Sequence, residues 1–161
     1  MTEGELLQLQ SDVRELKDIE EIKRLRSRYF QYVDAQDWTR WAEEILTEDF
    51  YFDSDAGVLQ GRDAIVAYIS KALEGAQTVH HGHTPDIAIT GPETATAVWA
   101  MNDYVTMPGA DQTTYVIRGY GYYRDEYVRT PSGWRLKKSA MSRLRVDAEG
   151  VPHFAASSDQ Q

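Results

Sequence analysis

The chain contains no cysteine among its 161 residues. That rules out disulfides, a thiolate nucleophile and any cysteine-ligated zinc site. Basic charge is also scarce: 17 Lys and Arg stand against 26 Asp and Glu, for a formal net charge of −9. The basic residues are dispersed, so the stripe needed to neutralise phosphates is missing and a nucleic-acid partner is not expected. No apolar run approaches the ~20 residues that span a bilayer, and the start "MTEGELLQLQSD" lacks the apolar centre of a signal peptide. The chain reads as one soluble, cytoplasmic domain with no membrane partner. Phosphate-cradling glycine loops and the G-x-S-x-G elbow of serine hydrolases are absent as well.

Aromatic residues, by contrast, are plentiful: four Trp, ten Tyr and four Phe supply large surfaces, many with polar tips. Apolar side chains at Leu6, Leu9, Val13, Leu16, Ile19, Ile22, Leu25, Tyr29 and Phe30 step by three and four, which predicts one long amphipathic helix or two in line. Thr2 and Glu5 have the spacing of a capping box. Asp37 is placed to cap a short second helix through Trp38, Trp41, Ile45 and Leu46. "FYFDSDAG" reads as a strand ending in a turn, and "GRDAIVAYISKALEG" as a third helix closed by glycine.

After Gly75 the period changes to two. Long β-rich runs follow, separated by the turn signals "TGPE", "PGAD" and "TPSG", which predicts helices first and then an antiparallel meander, an α+β arrangement. In "TATAVWAMND" the odd positions Ala95, Ala97, Trp99 and Met101 form an apolar face that Asp103 completes. Two readings stay open: the strand frays there and solvates the carboxylate, or Asp103 is buried and put to use. Gly119 and Gly121 lie inside the strongest strand, where they suggest curvature or close backbone approach.

The stretch "TVHHGHTPDI" holds three of the four histidines, His80, His81 and His83. A metal site lacks ligands at a recognisable spacing, since the fourth histidine, His153, lies near the C-terminus. That leaves proton transfer, which suits imidazole near neutrality, and ordinary hydrogen bonding within a strand. Gly82 and Pro85 disturb the alternation, and periodicity does not choose among the three.

The order of the long helix, "VDAQDW", the "GRDAI" helix, "HHGHTPDIAI", "TATAVW" and "GYYRDEYVRTPSGWRLKK" resembles the SnoaL-like branch of the NTF2-like superfamily, from about Ile19 to Val146. Within that branch these stretches are similar to the bacterial bile-acid 7α-dehydratases. The polar stretch 147–161 reads as a mobile tail. The resemblance implies an α+β cone: a curved antiparallel sheet wrapped on N-terminal helices around a deep pocket, over residues 1–146. It implies a catalytic set of Tyr29, Asp34, His80, Asp103 and Arg143, with His83 and Trp99 binding substrate. His80 would move the proton and Asp103 would orient it; Asp34 would hold Tyr29 or Arg143, and both Tyr29 and Asp34 would face one pocket only if the helix ended between them. The implied activity is a cofactor-independent, metal-free dehydratase acting on a hydroxylated steroid or similar polycyclic ketone. An isomerase or polyketide-type cyclase, or a non-catalytic binding protein, are the alternatives the fold allows. The expected partners are a hydrophobic small molecule and further copies of the chain, as a trimer or dimer.

Overall fold

The structure is a computed structural model that describes residues 1–109 and 113–150. Helix α1, Glu3–Asp34, is a single element, opened by the capping box in which Thr2 Oγ1 accepts from the Glu5 N–H and Glu5 accepts from the Thr2 N–H. Only its second half is core: Ile22, Leu25, Tyr29, Phe30 and Val33 are buried, whereas Leu6, Leu9, Val13 and Leu16 remain exposed. The predicted apolar stripe is therefore real, but its first half meets no other described element.

Helix α1 runs unbroken through Asp34, so the condition under which Tyr29 and Asp34 would face one pocket is not met. The two side chains, about 140° apart on the helix, serve different surroundings, as shown below. Asp37 caps the turn α2, Trp38–Arg40, by accepting from the Arg40 N–H, and one π-helical turn, Trp41–Ile45, follows. Such turns are uncommon and cluster at functional sites.

Strands β1 (Leu46–Ser54) and β2 (Gly57–Gln60) form a hairpin, and helix α3 (Arg62–Ala72) ends near Gly75, whose φ of 73° is the left-handed conformation glycine tolerates. Four long strands complete the sheet: β3 (Gln77–Gly91), β4 (Thr94–Pro108), β5 (Thr114–Thr130) and β6 (Gly133–Glu149). The six-stranded order is β2-β1-β6-β5-β4-β3. β3 to β6 form the predicted antiparallel meander, but β1 pairs with β6 in parallel, so the sheet is mixed. The chain reaches the far edge through the first helix and then crosses back by α3, which a meander pattern in the sequence does not reveal.

Helix α1 lies against β3, and its buried face meets the inner face of the sheet: Ala95, Ala97, Trp99 and Met101 on β4, Tyr123 and Tyr127 on β5, and Trp134 and Leu136 on β6. Trp99 is part of this core, 5% exposed, with its indole N–H donating to the Tyr127 hydroxyl. No helix of the described residues is long and apolar enough to cross a membrane. Asp147–Glu149, assigned above to the tail, close β6, while 151–161, including His153, lie outside the described residues.

Candidate active site

The inner face of the sheet, α1, the β1–β2 hairpin and α3 enclose a cavity of about 290 Å³. Tyr29, His80, Asp103, Tyr123 and Arg143 form its polar wall, and Val33, Phe52, Leu59, Ile69, Leu73 and Met141 are among its apolar lining.

His80 reaches this wall because β3 changes phase. Thr78, His80 and Gly82 point inward; then an irregularity between His83 and Asp86, with Thr84 at a φ of 24°, shifts the alternation so that Ile87 and Ile89 also point inward. This bulge is why His80 shares a face with Ile87 and Ile89 although their positions differ in parity. Gly82 leaves room for Phe30, whose ring would stand 2.8 Å from a Cβ there, and Phe30 stacks parallel to the His80 imidazole at 6.4 Å between centroids.

The partner of His80 is Asp34. The Asp34 Oδ1 lies 2.6 Å from His80 Nδ1, and its Oδ2 accepts from the His80 backbone N–H at 3.0 Å. Thr78 Oγ1 donates to Oδ1 at 2.8 Å. Burial pushes the Asp34 carboxyl up, but the hydrogen bonds and charge of His80 and the Thr78 hydroxyl outweigh it and hold the group below the ordinary carboxylate value. The ionised Asp34 is an acceptor only, so in the neutral imidazole of His80 the proton sits on Nδ1 and Nε2 carries the lone pair, in a residue that lines the cavity. Asp34 itself is absent from that lining; it sits behind the imidazole, where its position on α1 one and a half turns beyond Tyr29 puts it.

This corrects the expected His80–Asp103 dyad. The two residues are directly opposite in the β3–β4 register, but Asp103 turns toward β5 and β6. Its Oδ1 accepts from the Gly119 N–H and from Arg143 Nη1, both at 2.9 Å, and its Oδ2 from Arg143 Nη2 at 2.6 Å. Arg143 is thus a two-pronged partner of a carboxylate only 3% exposed. Gly119 is required here: a Cβ would overlap the Arg143 guanidinium and the Asp103 carboxylate. The expectation that Asp34 holds Tyr29 or Arg143 fails too, since Asp34 is taken by His80 and Thr78 and Arg143 by Asp103.

Two phenols complete the wall. Tyr29 is buried and its pKa is pushed up to about 12, chiefly by burial and against the pull of Arg26. Burial raises Tyr123 further still. No hydrogen bond among the described residues engages either hydroxyl, so both are neutral donors open to a ligand. Sequence reasoning missed Tyr123, although it shares parity with Gly119 and Gly121 on β5.

The two expected substrate-binding residues lie elsewhere. His83 is exposed and meets Asn102 Oδ1 through Nε2 at 2.6 Å, outside the cavity lining, and Trp99 is packed in the core. His81 is also exposed, beside Asn102 and 6.1 Å from the His83 ring. Among the described residues no group of three or more His, Cys, Asp or Glu side chains is placed to hold a metal ion.

Comparison with known proteins agrees with this architecture. An NTF2-like protein with a cystatin-like fold from Novosphingobium aromaticivorans superposes with a TM-score of 0.70 at 26% identity, covering 86% of this chain and 90% of that one. A putative scytalone dehydratase from the same organism gives 0.72 at 18% identity, over 89% and 93%. The type-3 hexachlorocyclohexane dehydrochlorinase LinA from Novosphingobium barchaimii gives 0.69 at 16%, over 89% and 97%. The SnoaL-like domain model matches residues 14–140, from the middle of α1 into β6. The chain belongs to the SnoaL-like domain family.

Proposed function

We propose that the protein is a cofactor-independent lyase, a dehydratase that removes water from a hydroxylated steroid, bile-acid-like molecule or other polycyclic ketone by acid/base catalysis at His80. The observation that carries this reading is the Asp34–His80 pair, which leaves one basic imidazole nitrogen at the wall of a mostly apolar cavity. Two structural neighbours bear names that denote eliminations, a dehydratase and a dehydrochlorinase.

The chemistry needs nothing beyond these groups. His80 Nε2 takes a proton from carbon acidified by a nearby carbonyl, and the C–H electron pair moves onto the carbonyl oxygen. Asp34 stabilises the imidazolium that results; a positioned transfer of this kind typically contributes 10²–10⁴-fold. The Tyr29 and Tyr123 phenols donate to the enolate oxygen, in a water-poor site where such donors count most. The enolate then collapses to form the new double bond, the C–O bond breaks, and the imidazolium gives its proton to the departing hydroxide. One water leaves, and His80 returns to its starting state.

The reacting part of the substrate is neutral. The Arg143 charge is already taken by Asp103, so among the described residues the polar wall has no free cation for a carboxylate. The chain also associates as a homo-oligomer through the outer face of the long strands, where Val79, Val98, Tyr104 and Tyr120 are exposed, the type of surface that copies of one chain cover.

The test is to incubate the protein with a panel of hydroxylated 3-keto-4-ene steroids. The expected product is the dienone, with longer-wavelength absorbance and a mass lower by one water. A product of unchanged mass would make it an isomerase, and no turnover of any member would remove the steroid class.

A further inference from the structure

Arg26 is a buried cation that the mechanism above does not use, although it packs against two residues of the cavity wall. It sits on the buried stripe of α1, between Ile22 and Tyr29, and is 1% exposed. Its guanidinium carbon stands 4.2 Å from the centre of the Tyr29 ring and 4.0 Å from that of Tyr123, with Phe30 at 4.9 Å. Its counter-charge is Asp125, with Nη1 3.3 Å from Oδ2, and that carboxylate is itself held by the Tyr127 and Ser139 hydroxyls at 2.6 and 2.7 Å. None of the three guanidinium nitrogens makes a hydrogen bond among the described residues.

That arrangement is costly as a structural element. A buried ion pair with unsatisfied N–H groups is commonly no more stable than apolar side chains of equal volume, so a methionine would fill the space without the desolvation cost. What the guanidinium adds is a positive charge behind two phenols. Both rings line the cavity and both carry the cation, which is itself absent from the lining. A cation in a low-dielectric interior favours negative charge building on a neighbouring oxygen.

We propose that Arg26 is a positioning residue for this site: its guanidinium, packed over the rings of Tyr29 and Tyr123, strengthens both phenols as hydrogen-bond donors to the negative oxygen that forms in the cavity. The proposal rests on the acid/base reading above. Asp125 moderates the effect, since it lies on the same guanidinium and opposes its field at Tyr29. The buried row Arg26, Asp125, Tyr127 and Ser139 is then a tuning device beneath the wall that meets the substrate.

The test uses no substrate, so its failure is distinguishable from failure of the dehydratase reading. 3,5-Difluorotyrosine, whose phenol is more acidic than tyrosine's, is installed at position 29 of the full chain and titrated by its phenolate absorbance. Arg26→Met and Arg26→Gln should each raise that pKa by about one unit, a tenfold change in acidity, and Asp125→Asn should lower it. A purely structural arginine gives the opposite sign, because a loosened core admits water and lets a buried phenol fall toward its ordinary value. An unchanged or lowered pKa in a neutral variant with a native near-UV spectrum overturns the proposal. Should neither neutral variant keep that spectrum, Asp125→Asn decides: a lowered pKa supports the proposal, and an unchanged or raised one overturns it.

Discussion

Replacing Asp34 by asparagine keeps the shape of the side chain and removes one acceptor oxygen. In the native site Oδ1 takes the His80 Nδ1 proton and the Thr78 hydroxyl, while Oδ2 takes the His80 backbone N–H. An asparagine can satisfy only one side of this set. If its amide oxygen replaces Oδ2, the NH₂ group faces Nδ1, which must give up its proton; the imidazole then carries the proton on Nε2 and is no longer a base toward the cavity. If the oxygen replaces Oδ1, the NH₂ group faces the backbone N–H, and a half-buried donor goes unpaired at a cost of about 1–3 kcal/mol. Either arrangement also removes the charge that stabilises the imidazolium. The same substitution in a serine-protease triad costs about 10⁴ in kcat through the wrong tautomer. Asp34→Asn should therefore lower kcat by roughly 10³–10⁴, about 4–5.5 kcal/mol in the barrier, with the KM for a neutral substrate little changed. Steady-state kinetics on the dehydrated member of the steroid panel gives the rate, and ¹⁵N chemical shifts of the His80 ring give the tautomer. An Asp34→Asn enzyme within tenfold of wild type, with Nδ1 still protonated, would refute the assignment of Asp34 as the partner that sets the base.

Asp103→Asn breaks a largely buried two-pronged pair and should cost about 3 kcal/mol of stability, read in a urea titration, while reducing kcat much less than Asp34→Asn does. Tyr29→Phe should lower kcat about 10²-fold while ligand binding persists. It should also flatten the alkaline loss of stability. The Tyr29 pKa is raised on folding, so its contribution is full below the unfolded value near 10 and is lost as pH rises toward about 12; urea midpoints across that range measure it. Asp34 has the opposite sign: its stabilisation is full above the ordinary carboxylate value of about 3.9 and is lost as pH falls through its lowered folded value. Tyr104→Asp combined with Tyr120→Asp should convert the proposed oligomer to monomer in light scattering, and an unchanged mass would overturn an interface on the outer sheet face.

The fold was legible wherever local periodicity carried it. The steps of three and four along α1, the capping box at Thr2 and the inward row ending at Asp103 all describe contacts a few residues apart or one sheet face. The parallel β1–β6 pairing was not legible, because it depends on a crossover through α3 and leaves no local pattern. The site was readable as a set of residues and much less so as a set of pairs. His80 and Asp103 are opposite in register, and only the missing Cβ of Gly119, which lets Arg143 lie down beside Asp103, turns that carboxylate away. Asp34 and His80 are 46 residues apart, and their contact follows from the packing of α1 on β3. His83 misled because it shares the parity of Ile87 and Ile89, whereas the bulge that brings that parity inward comes only after it, between His83 and Asp86. Arg26 did leave a signal: an arginine on the apolar stripe that runs through Ile22, Tyr29 and Val33. Tyr123 and Asp125 left another, on the parity that Gly119 and Gly121 define.

The central claim is that an imidazole set by Asp34 moves the proton unaided by a metal or a redox cofactor. Turnover of the dehydrated steroid by His80→Ala, measured beside wild type in EDTA with no nicotinamide or flavin added, tests it most directly. The account predicts that wild type keeps its full rate and that His80→Ala loses at least 10²-fold, about 2.7 kcal/mol. An active His80→Ala, or a wild type that EDTA silences and one added metal restores, would contradict it.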